Sequence, residues 1–396
     1  MKGEDLLGNP SLRINVEKLL AKYPLLPRLT VSELTNKFLE VTQSDLKDWL
    51  EKTMQKEKDD WYSDAEAEID GFGHCYTSLP SILFQMLEDQ VQLAQEIGDE
   101  AVVKVIEVCV EELTLFSIKF KDAITAYTNK HLENRNLFKK YTLTAVGTAN
   151  NCQVCSELCD KVRGQAKARG ANTDATQRKA LLDRIDKLKE QWIADMHECI
   201  RCLLCELNKD LQPYFNEIMT KKWIGDGSPF GVICATVEDY YAEYKRLKPQ
   251  QLTLLLSELQ LRIVREYVQA IEAKRLSLGT YEDRRLAGDQ LANESAALKE
   301  LVTKLAAPGE EIELLTDVLP AIGEIIKLRD KSLLSLEISG FVQKFPDITM
   351  EQLSSMLMLR GDVGKADARQ LAQEILHSNR FRAGSPNSPY IKLFQG

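Results

Sequence analysis

The hydrophobic and polar positions of this chain follow the period of an α-helix along nearly its whole length. The clearest run extends from about Thr173 to Trp223, where apolar residues recur every three or four positions and form one stripe. The stripe consists of Leu181, Leu182, Ile185, Leu188, Trp192, Met196, Ile200, Leu203, Leu207, Leu211, Tyr214 and Ile218. An unbroken helix over this run would be roughly 75 Å long. Pro213 lacks an N–H donor, so it predicts a kink or a break.

The same periodicity predicts helices on both sides of this run and an all-α fold. We expect no strands, and we expect an acidic loop over residues 58–73. Ser78 is the expected N-cap of a helix that has Pro80 in its first turn and stops at Gly98. The other predicted helices span 11–23, 30–58, 99–131, 141–164, 175–223, 231–247, 250–278, 281–307, 311–329, 332–344, 349–360 and 367–379.

The domain organisation follows from the strongest helix breaker, the segment Gly225-Asp226-Gly227-Ser228-Pro229. It predicts a first helical bundle over residues 1–225 and a second over 226–396, which ends in a flexible tail at 384–389. The helices at 141–164 and 175–223 are expected to pair as an antiparallel hairpin. Stacked end to end, the two bundles would make an elongated rod.

Composition narrows the class of protein. The 396 residues carry a formal net charge of −9, so little counterion release is available and nucleic acid is not an expected partner. The start of the chain is polar and acidic, unlike a signal peptide, and no stretch of about 18 uninterrupted apolar residues predicts a transmembrane helix. Nine cysteines, an odd number, lie mostly within helical patterns, which indicates a reduced, cytosolic protein.

Two groups of cysteines are the only candidates for a metal site. They are Cys152, Cys155 and Cys159 on one predicted helix and Cys199, Cys202 and Cys205 on the next. Six thiols that face each other could bind zinc, but structural zinc sites usually take Cys-x-x-Cys pairs from turns. Since cysteine also packs as a small hydrophobic residue, we expect core packing and no bound metal.

Catalytic motifs do not emerge from the sequence. His74 and Cys75 are adjacent, whereas a catalytic dyad is assembled in space, with its cysteine usually at a helix N-terminus. The histidines form no metal-binding pattern, no phosphate-binding glycine loop follows a strand, and the acidic loop lacks the calcium-loop spacing. We therefore expect a protein that is not an enzyme and that needs no cofactor.

Basic pairs occur at Lys139-Lys140, Lys221-Lys222, Lys274-Arg275 and Arg284-Arg285. We favour solvated helix faces over a phospholipid site for them, and so at most a peripheral membrane contact. Lys221, Lys222 and Trp223 form the candidate partner surface, because a long helix ends there beside a glycine-rich turn. For Trp223 itself, interior packing is the favoured interpretation. A chain of this kind is expected to act through extended helical surfaces that recognise other helices.

Several short segments of the chain are recognisable as a set. They are Asp59-Asp60-Trp61, Thr77-Ser78-Leu79-Pro80-Ser81-Ile82-Leu83-Phe84-Gln85-Met86, Asn150-Asn151-Cys152, Asn216-Glu217-Ile218-Met219-Thr220-Lys221-Lys222-Trp223, Thr236-Val237-Glu238-Asp239-Tyr240-Tyr241, Val264-Arg265-Glu266-Tyr267-Val268, Phe345-Pro346-Asp347-Ile348 and Leu359-Arg360-Gly361-Asp362. No single one of these family segments is diagnostic. Because they occur in the same order across nearly the whole chain, the sequence resembles the exocyst complex component 3 (Sec-six subunit) family over the C-terminal half of that family.

The resemblance implies a non-enzymatic vesicle-tethering subunit of the helical-rod superfamily (CATCHR-like architecture). Such proteins bind sister exocyst subunits and plasma-membrane SNARE proteins in exocytosis, and they are cytoplasmic and recruited to the plasma membrane. The family's N-terminal half, with its coiled-coil assembly helices, is absent from this sequence. An alternative is a paralogue, similar to a tumour-necrosis-factor-induced protein, that acts as a small-GTPase effector in membrane protrusion or nanotube formation.

Overall fold

The computed structural model describes residues 28–169, 174–224, 228–380 and 394. Within these residues it contains twelve α-helices, a 3-10 helix at Lys331–Leu333 and two short strands, so the all-α prediction is confirmed. The helices are α1 (Arg28–Tyr62), α2 (Leu79–Gln95), α3 (Asp99–Glu133), α4 (Tyr141–Arg169), α5 (Ala175–Phe215), α6 (Phe230–Tyr244), α7 (Pro249–Glu272), α8 (Tyr281–Leu305), α9 (Val318–Lys327), α10 (Leu334–Lys344), α11 (Met350–Leu359) and α12 (Lys365–Arg380).

Helix ends account for most differences between prediction and structure. Helix α5 includes Pro213 but ends two residues later, at Phe215, instead of reaching Trp223. The missing N–H of Pro213 shortens the hydrogen-bond ladder, and the chain then turns through Met219, whose φ is 57°. Ser78 is the N-cap of α2, with proline in the first turn, but its side chain makes no capping hydrogen bond. The predicted helix at 11–23 and the tail at 384–389 lie outside the described residues.

The prediction of no strands is wrong. Strands β1 (Glu68–Ile69) and β2 (Cys75–Tyr76) form an antiparallel hairpin in which Glu68 faces Tyr76 and Ile69 faces Cys75. Each strand has only two residues, which is too short for an alternating apolar pattern to be visible in the sequence. The predicted acidic loop, residues 58–73, thus contains the end of α1 and strand β1, whereas β2 follows the loop.

The chain divides into two compact units that differ from the predicted bundles 1–225 and 226–396. Of the described residues, the first unit comprises those within 28–63, 78–123 and 152–195, and the second comprises those within 64–77, 124–151 and 196–380 together with residue 394. Helices α3, α4 and α5 each contribute to both units. Their apolar stripes continue through the division without a glycine or proline, so the sequence carries no signal of it.

The core of the first unit is built around four aromatic rings. Phe120 lies 5.5 Å from Trp61, 5.8 Å from Phe116 and 6.0 Å from Trp192, measured between ring centroids. Such separations are typical of favourable aromatic pairs. All four side chains are at most 3% exposed. They hold α1, α3 and α5 together.

Helices α4 and α5 run antiparallel in this unit, as predicted. The Arg163 guanidinium pairs with the Asp186 carboxylate at 2.7 Å, and Lys189 pairs with Asp160 at 2.8 Å. These contacts join later residues of α4 to earlier residues of α5. This order shows that the two helices run in opposite directions, so the predicted antiparallel hairpin is confirmed within the first unit.

In the second unit, α8 and α9 cross at a pair of glycines. A Cβ atom on Gly288 would lie 2.8 Å from the Gly323 carbonyl oxygen, and one on Gly323 would lie 2.9 Å from the Gly288 oxygen. Real side chains are not found so close to a main-chain oxygen. The two backbones can approach this closely only because neither residue has a side chain.

Candidate interaction surface

The predicted partner residues lie in the turns that follow α5. Lys221 and Lys222 are exposed, and the Lys222 ammonium pairs with the Glu217 carboxylate at 2.8 Å. Trp223, in contrast, is 0% exposed. The tryptophan therefore lies in the interior, and the candidate surface at this point is reduced to Lys221 and Lys222. Their binding role stays a prediction.

Trp223 packs into a buried polar network whose centre is Glu294 on α8. The indole Nε1 donates to both Glu294 carboxylate oxygens, at 3.0 and 3.1 Å. The hydroxyls of Tyr267 and Ser228 donate to the same carboxylate, each at 2.5 Å, and so does the Gln290 amide at 2.7 Å. Burial and the neighbouring Glu294 charge hold the pKa of Tyr267 well above its usual value.

A second polar network connects α3, α5 and α6. Arg135 donates to the Asp210 carboxylate at 2.9 Å and to the Tyr240 hydroxyl at 2.7 Å. This hydrogen bond from Arg135 lowers the pKa of Asp210. The His131 ring stacks on another aromatic ring, and its Nε2 atom lies 2.9 Å from a carboxylate oxygen of Glu206. Tyr240 therefore joins helices inside the second unit, because its hydroxyl also donates to the Asp210 carboxylate at 2.7 Å.

Asn150 and Asn151, in one of the family segments, tie the β-hairpin to the rest of the second unit. The Asn150 side-chain amide donates to the carbonyls of Cys75 and Arg246, at 2.7 and 2.9 Å, and its oxygen accepts from the Lys248 amide at 2.9 Å. Asn151 similarly contacts the Thr77 amide and hydroxyl. A polar pair in an apolar helix is the sequence signal for such an anchor.

Arg360, in the last family segment, is 0% exposed and stabilises the C-terminus of α9. Its guanidinium donates to the Leu328 carbonyl at 2.8 Å and also to the carbonyls of Ile325 and Ile326. A cation that satisfies the last carbonyls of a helix is favourable for both hydrogen bonding and the helix dipole. Asp362 balances the charge, because its carboxylate accepts from the same guanidinium at 3.0 Å.

The prediction that the basic pairs form solvated faces is wrong for one arginine. Arg284 is 7% exposed and donates to the Arg360 carbonyl at 3.3 Å. Arg275 is exposed, and its guanidinium donates to the carbonyl of Phe215, the last residue of α5, at 2.9 Å. Arg285 is also exposed and pairs with acidic residues of its own helix, as a solvated face does.

The two groups of cysteines are placed in different units. Cys152, Cys155 and Cys159 are buried in the first unit, and Cys199 and Cys202 are buried in the second. The expectation of core packing is wrong for Cys205, which is exposed. Among the described residues, no group of three or more His, Cys, Asp and Glu side chains could hold a metal ion.

The protonation state of the buried thiols agrees with a role of these cysteines in core packing. Burial raises the pKa of Cys109, Cys159 and Cys202 from 9.0 to about 12 in each case, so these thiols stay protonated near neutral pH. A protonated thiol is a poor nucleophile and a poor metal ligand. Cys75, beside His74, is also buried, and burial raises its pKa as well.

Sequence reasoning missed the most exposed aromatic side chain of the described residues, Phe72. It lies at the tip of the β-hairpin and is 89% exposed. The signal that could have found it is the tripeptide Gly71-Phe72-Gly73 inside an otherwise polar, acidic segment. Glu294 was also missed, because a single glutamate within an amphipathic helix resembles a solvated residue.

The helices of this structure pack against each other around apolar side chains and buried polar networks. The fold is therefore that of an all-α helical-bundle protein. The family model for exocyst complex component Sec6 matches residues 3–365. Exocyst complex component 3 of Caenorhabditis elegans is 35% identical over 96% of this chain and 50% of its own length. The chain therefore belongs to the exocyst complex component Sec6 family, and it spans about half the length of this curated relative.

Two further comparisons concern the fold and the alternative interpretation of the chain as a paralogue similar to a tumour-necrosis-factor-induced protein. The crystal structure of the C-terminal domain of the exocyst subunit Sec6p matches with a TM-score of 0.82 at 14% identity, over 93% of this chain and 98% of that one. Human tumor necrosis factor alpha-induced protein 2 is 23% identical over 99% of this chain and 56% of its own length. Within the described residues, the structure has no helix that combines the length and apolar character needed to cross a bilayer.

Proposed function

We propose that this chain is the interaction module of an exocyst subunit, which tethers secretory vesicles at the plasma membrane during exocytosis. The observation that carries the proposal is the family match over residues 3–365, together with 35% identity to an exocyst complex component 3. In this proposal the protein binds sister exocyst subunits, lies in the cytoplasm and is recruited to the plasma membrane.

The proposed mechanism is recognition by helical surfaces, without catalysis. The networks around Glu294, Arg135, Asn150 and Arg360 fix how helices pack, so the exposed helix faces keep a defined geometry for partners. A preorganised surface loses little conformational entropy on binding. Extended helices then contact helical partners, including plasma-membrane SNARE proteins, through a few strong anchor residues.

Binding of the purified chain to a plasma-membrane SNARE protein tests the finer part of the proposal. We expect saturable binding that competes with excess unlabelled SNARE protein. An unrelated coiled-coil protein of similar charge is the control. Equal retention of the SNARE protein and the control would contradict SNARE recognition and leave sister subunits as the proposed partners.

The similarity to tumor necrosis factor alpha-induced protein 2 over 99% of this chain supports the alternative, a small-GTPase effector in membrane protrusion. Vesicle binding separates the two proposals, because the alternative requires a basic face that contacts anionic lipid. The tethering proposal expects at most a weak, peripheral contact, since the chain carries a net charge of −9. Strong, specific binding to anionic vesicles together with GTP-dependent binding of a small GTPase would favour the alternative.

A further inference from the structure

The β-hairpin at residues 64–77 presents an aromatic side chain to solvent on a rigid support. Phe72 is 89% exposed at its tip. Below it, the Asp70 carboxylate accepts hydrogen bonds from the amides of Phe72 and His74, each at 2.9 Å, and Gly73 adopts a left-handed conformation with φ of 91°. The Phe72 ring also stacks on the His74 ring, with centroids 6.2 Å apart.

The base of the hairpin is held as firmly as the tip. The Cys75 amide donates to the Arg246 carbonyl at 3.1 Å, and Asn150 accepts and donates hydrogen bonds at the same junction. The Asp64 carboxylate accepts from the amides of Lys139 and Lys140 at the start of α4. Because both ends are fixed, little conformational entropy remains to be lost when the tip is bound.

An exposed phenylalanine with such support is unfavourable unless it has a use. A phenylalanine side chain left in water forgoes the free energy that its burial would contribute. The main chain on either side of the ring is held by the Asp70 and Asn150 hydrogen bonds, and the ring itself stays 89% exposed. Rigid aromatic side chains are the usual anchors of protein interfaces.

The charge around the ring indicates what kind of surface would cover it. Residues 64–77 contain four acidic residues and no lysine or arginine. The nearest bonded cations are Lys140, which pairs with Glu66 at 3.1 Å, and Arg246, which donates to the Gly73 carbonyl at 3.4 Å. Glu66 and Glu68 remain exposed. The acidic side chains along this segment are repelled by anionic phospholipid and are complementary to a basic protein surface.

We propose that this hairpin docks on a sister exocyst subunit, with Phe72 in an apolar pocket whose rim carries lysine or arginine side chains. The proposal rests on the proposed function and names one contact surface for it. Phe72 supplies the anchor that determines how long the complex lives. Glu66 and Glu68 speed its formation.

The test measures binding of the full chain to each purified exocyst subunit, with Phe72→Ala and the control Leu336→Ala. Leu336 is 73% exposed on α10 in the same unit, so both changes remove an exposed apolar side chain. We expect Phe72→Ala to weaken binding to one subunit by roughly 30-fold, the size of an anchor residue, while Leu336→Ala leaves it unchanged. Both variants should melt at the wild-type temperature.

A second binding experiment tests the role of the acidic side chains of the hairpin segment. Glu66→Gln with Glu68→Gln should slow association with the same subunit and reduce its dependence on salt. Wild-type affinity of Phe72→Ala for every subunit that binds would overturn this proposal and leave the proposed function standing. If the wild-type chain bound no subunit, both would fall. Binding to phosphatidylserine vesicles that is lost in Phe72→Ala would overturn the protein pocket in favour of a membrane contact.

Discussion

The side-chain amide of Asn150 lies 2.7 Å from the main-chain oxygen of Cys75, across 75 positions of sequence. This contact places the β-hairpin at a fixed position beside the start of α7, because the same side chain also accepts from the Lys248 amide. One asparagine inside a long helix thereby orders two segments that are far apart in the chain.

Replacement of Asn150 by alanine should therefore loosen the hairpin. It removes three hydrogen bonds and leaves buried main-chain groups without these partners, at a cost of about 2–4 kcal/mol in the free energy of unfolding. Hydrogen exchange should accelerate at the Lys248 amide. Asn136→Ala, at an exposed position, is the matched control and should change stability by less than about 0.5 kcal/mol. Equal exchange rates in the two variants would contradict the anchoring role.

Trp223→Phe tests whether this tryptophan is a structural residue. The change keeps a large ring but removes the donor to both Glu294 oxygens, so we expect a loss of about 1–3 kcal/mol in denaturant unfolding. Trp49→Phe is the control, since Trp49 is 37% exposed. An unchanged unfolding midpoint for Trp223→Phe would show that the indole hydrogen bonds contribute nothing to stability.

The cysteines should behave as packing residues. Cys155→Ala with Cys202→Ala should cost about 1–2 kcal/mol through lost contacts and small cavities, whereas Cys205→Ala at an exposed position should cost little. A metal chelator should leave the wild-type melting curve unchanged. Collapse of the melting temperature on chelation, or zinc in elemental analysis, would show that the metal interpretation was the correct one.

Alkaline pH should destabilise the fold through the buried thiols. The pKa of Cys109, Cys159 and Cys202 rises from 9.0 to about 12 on folding, so above pH 9.0 the unfolded chain loses protons that the folded chain keeps. The stabilising contribution is thus complete below pH 9.0 and is lost as pH rises towards 12. Melting temperatures between pH 8 and pH 11 should fall, and less steeply for Cys159→Ala than for Cys205→Ala. Parallel slopes would contradict this assignment.

Lys221→Glu with Lys222→Glu tests the remaining part of the predicted partner surface. Both side chains are exposed, so folding should be intact. We expect weaker binding to an acidic SNARE protein or sister subunit, with a smaller dependence on salt. Lys274→Glu, at another exposed basic position, is the control. Unchanged affinity at low salt would restrict this junction to a structural role.

Helical periodicity predicted most of the fold. The helices α3, α8, α10 and α11 begin and end within about two residues of the predicted limits, because their apolar faces are bounded by turn or capping residues such as Thr280 and Thr349. The division into units was not predictable, because α3, α4 and α5 continue across it. The hairpin was not predictable either, since its strands are held by Asn150 and Arg246 rather than by their own apolar pattern.

The sequence favoured interior packing for Trp223, and the structure places this side chain in the interior, but the partners of the indole could not be predicted. Periodicity identifies Trp223 as apolar but cannot tell a surface aromatic from one that donates to a buried glutamate 71 positions away. Arg284 was expected on a solvated face for the same reason, although it is 7% exposed. Burial of a charged side chain depends on partners brought together by the tertiary fold, and helix propensity contains no information about them.

The most direct test of the central claim is the composition of the complex that the protein forms in cells. The protein, tagged at its natural level, should copurify with the other exocyst subunits in stoichiometric amounts by quantitative mass spectrometry. The Phe72→Ala variant, expressed at the same level, should lose at least one subunit. Copurification with small GTPases and no exocyst subunits would contradict the account and favour the alternative.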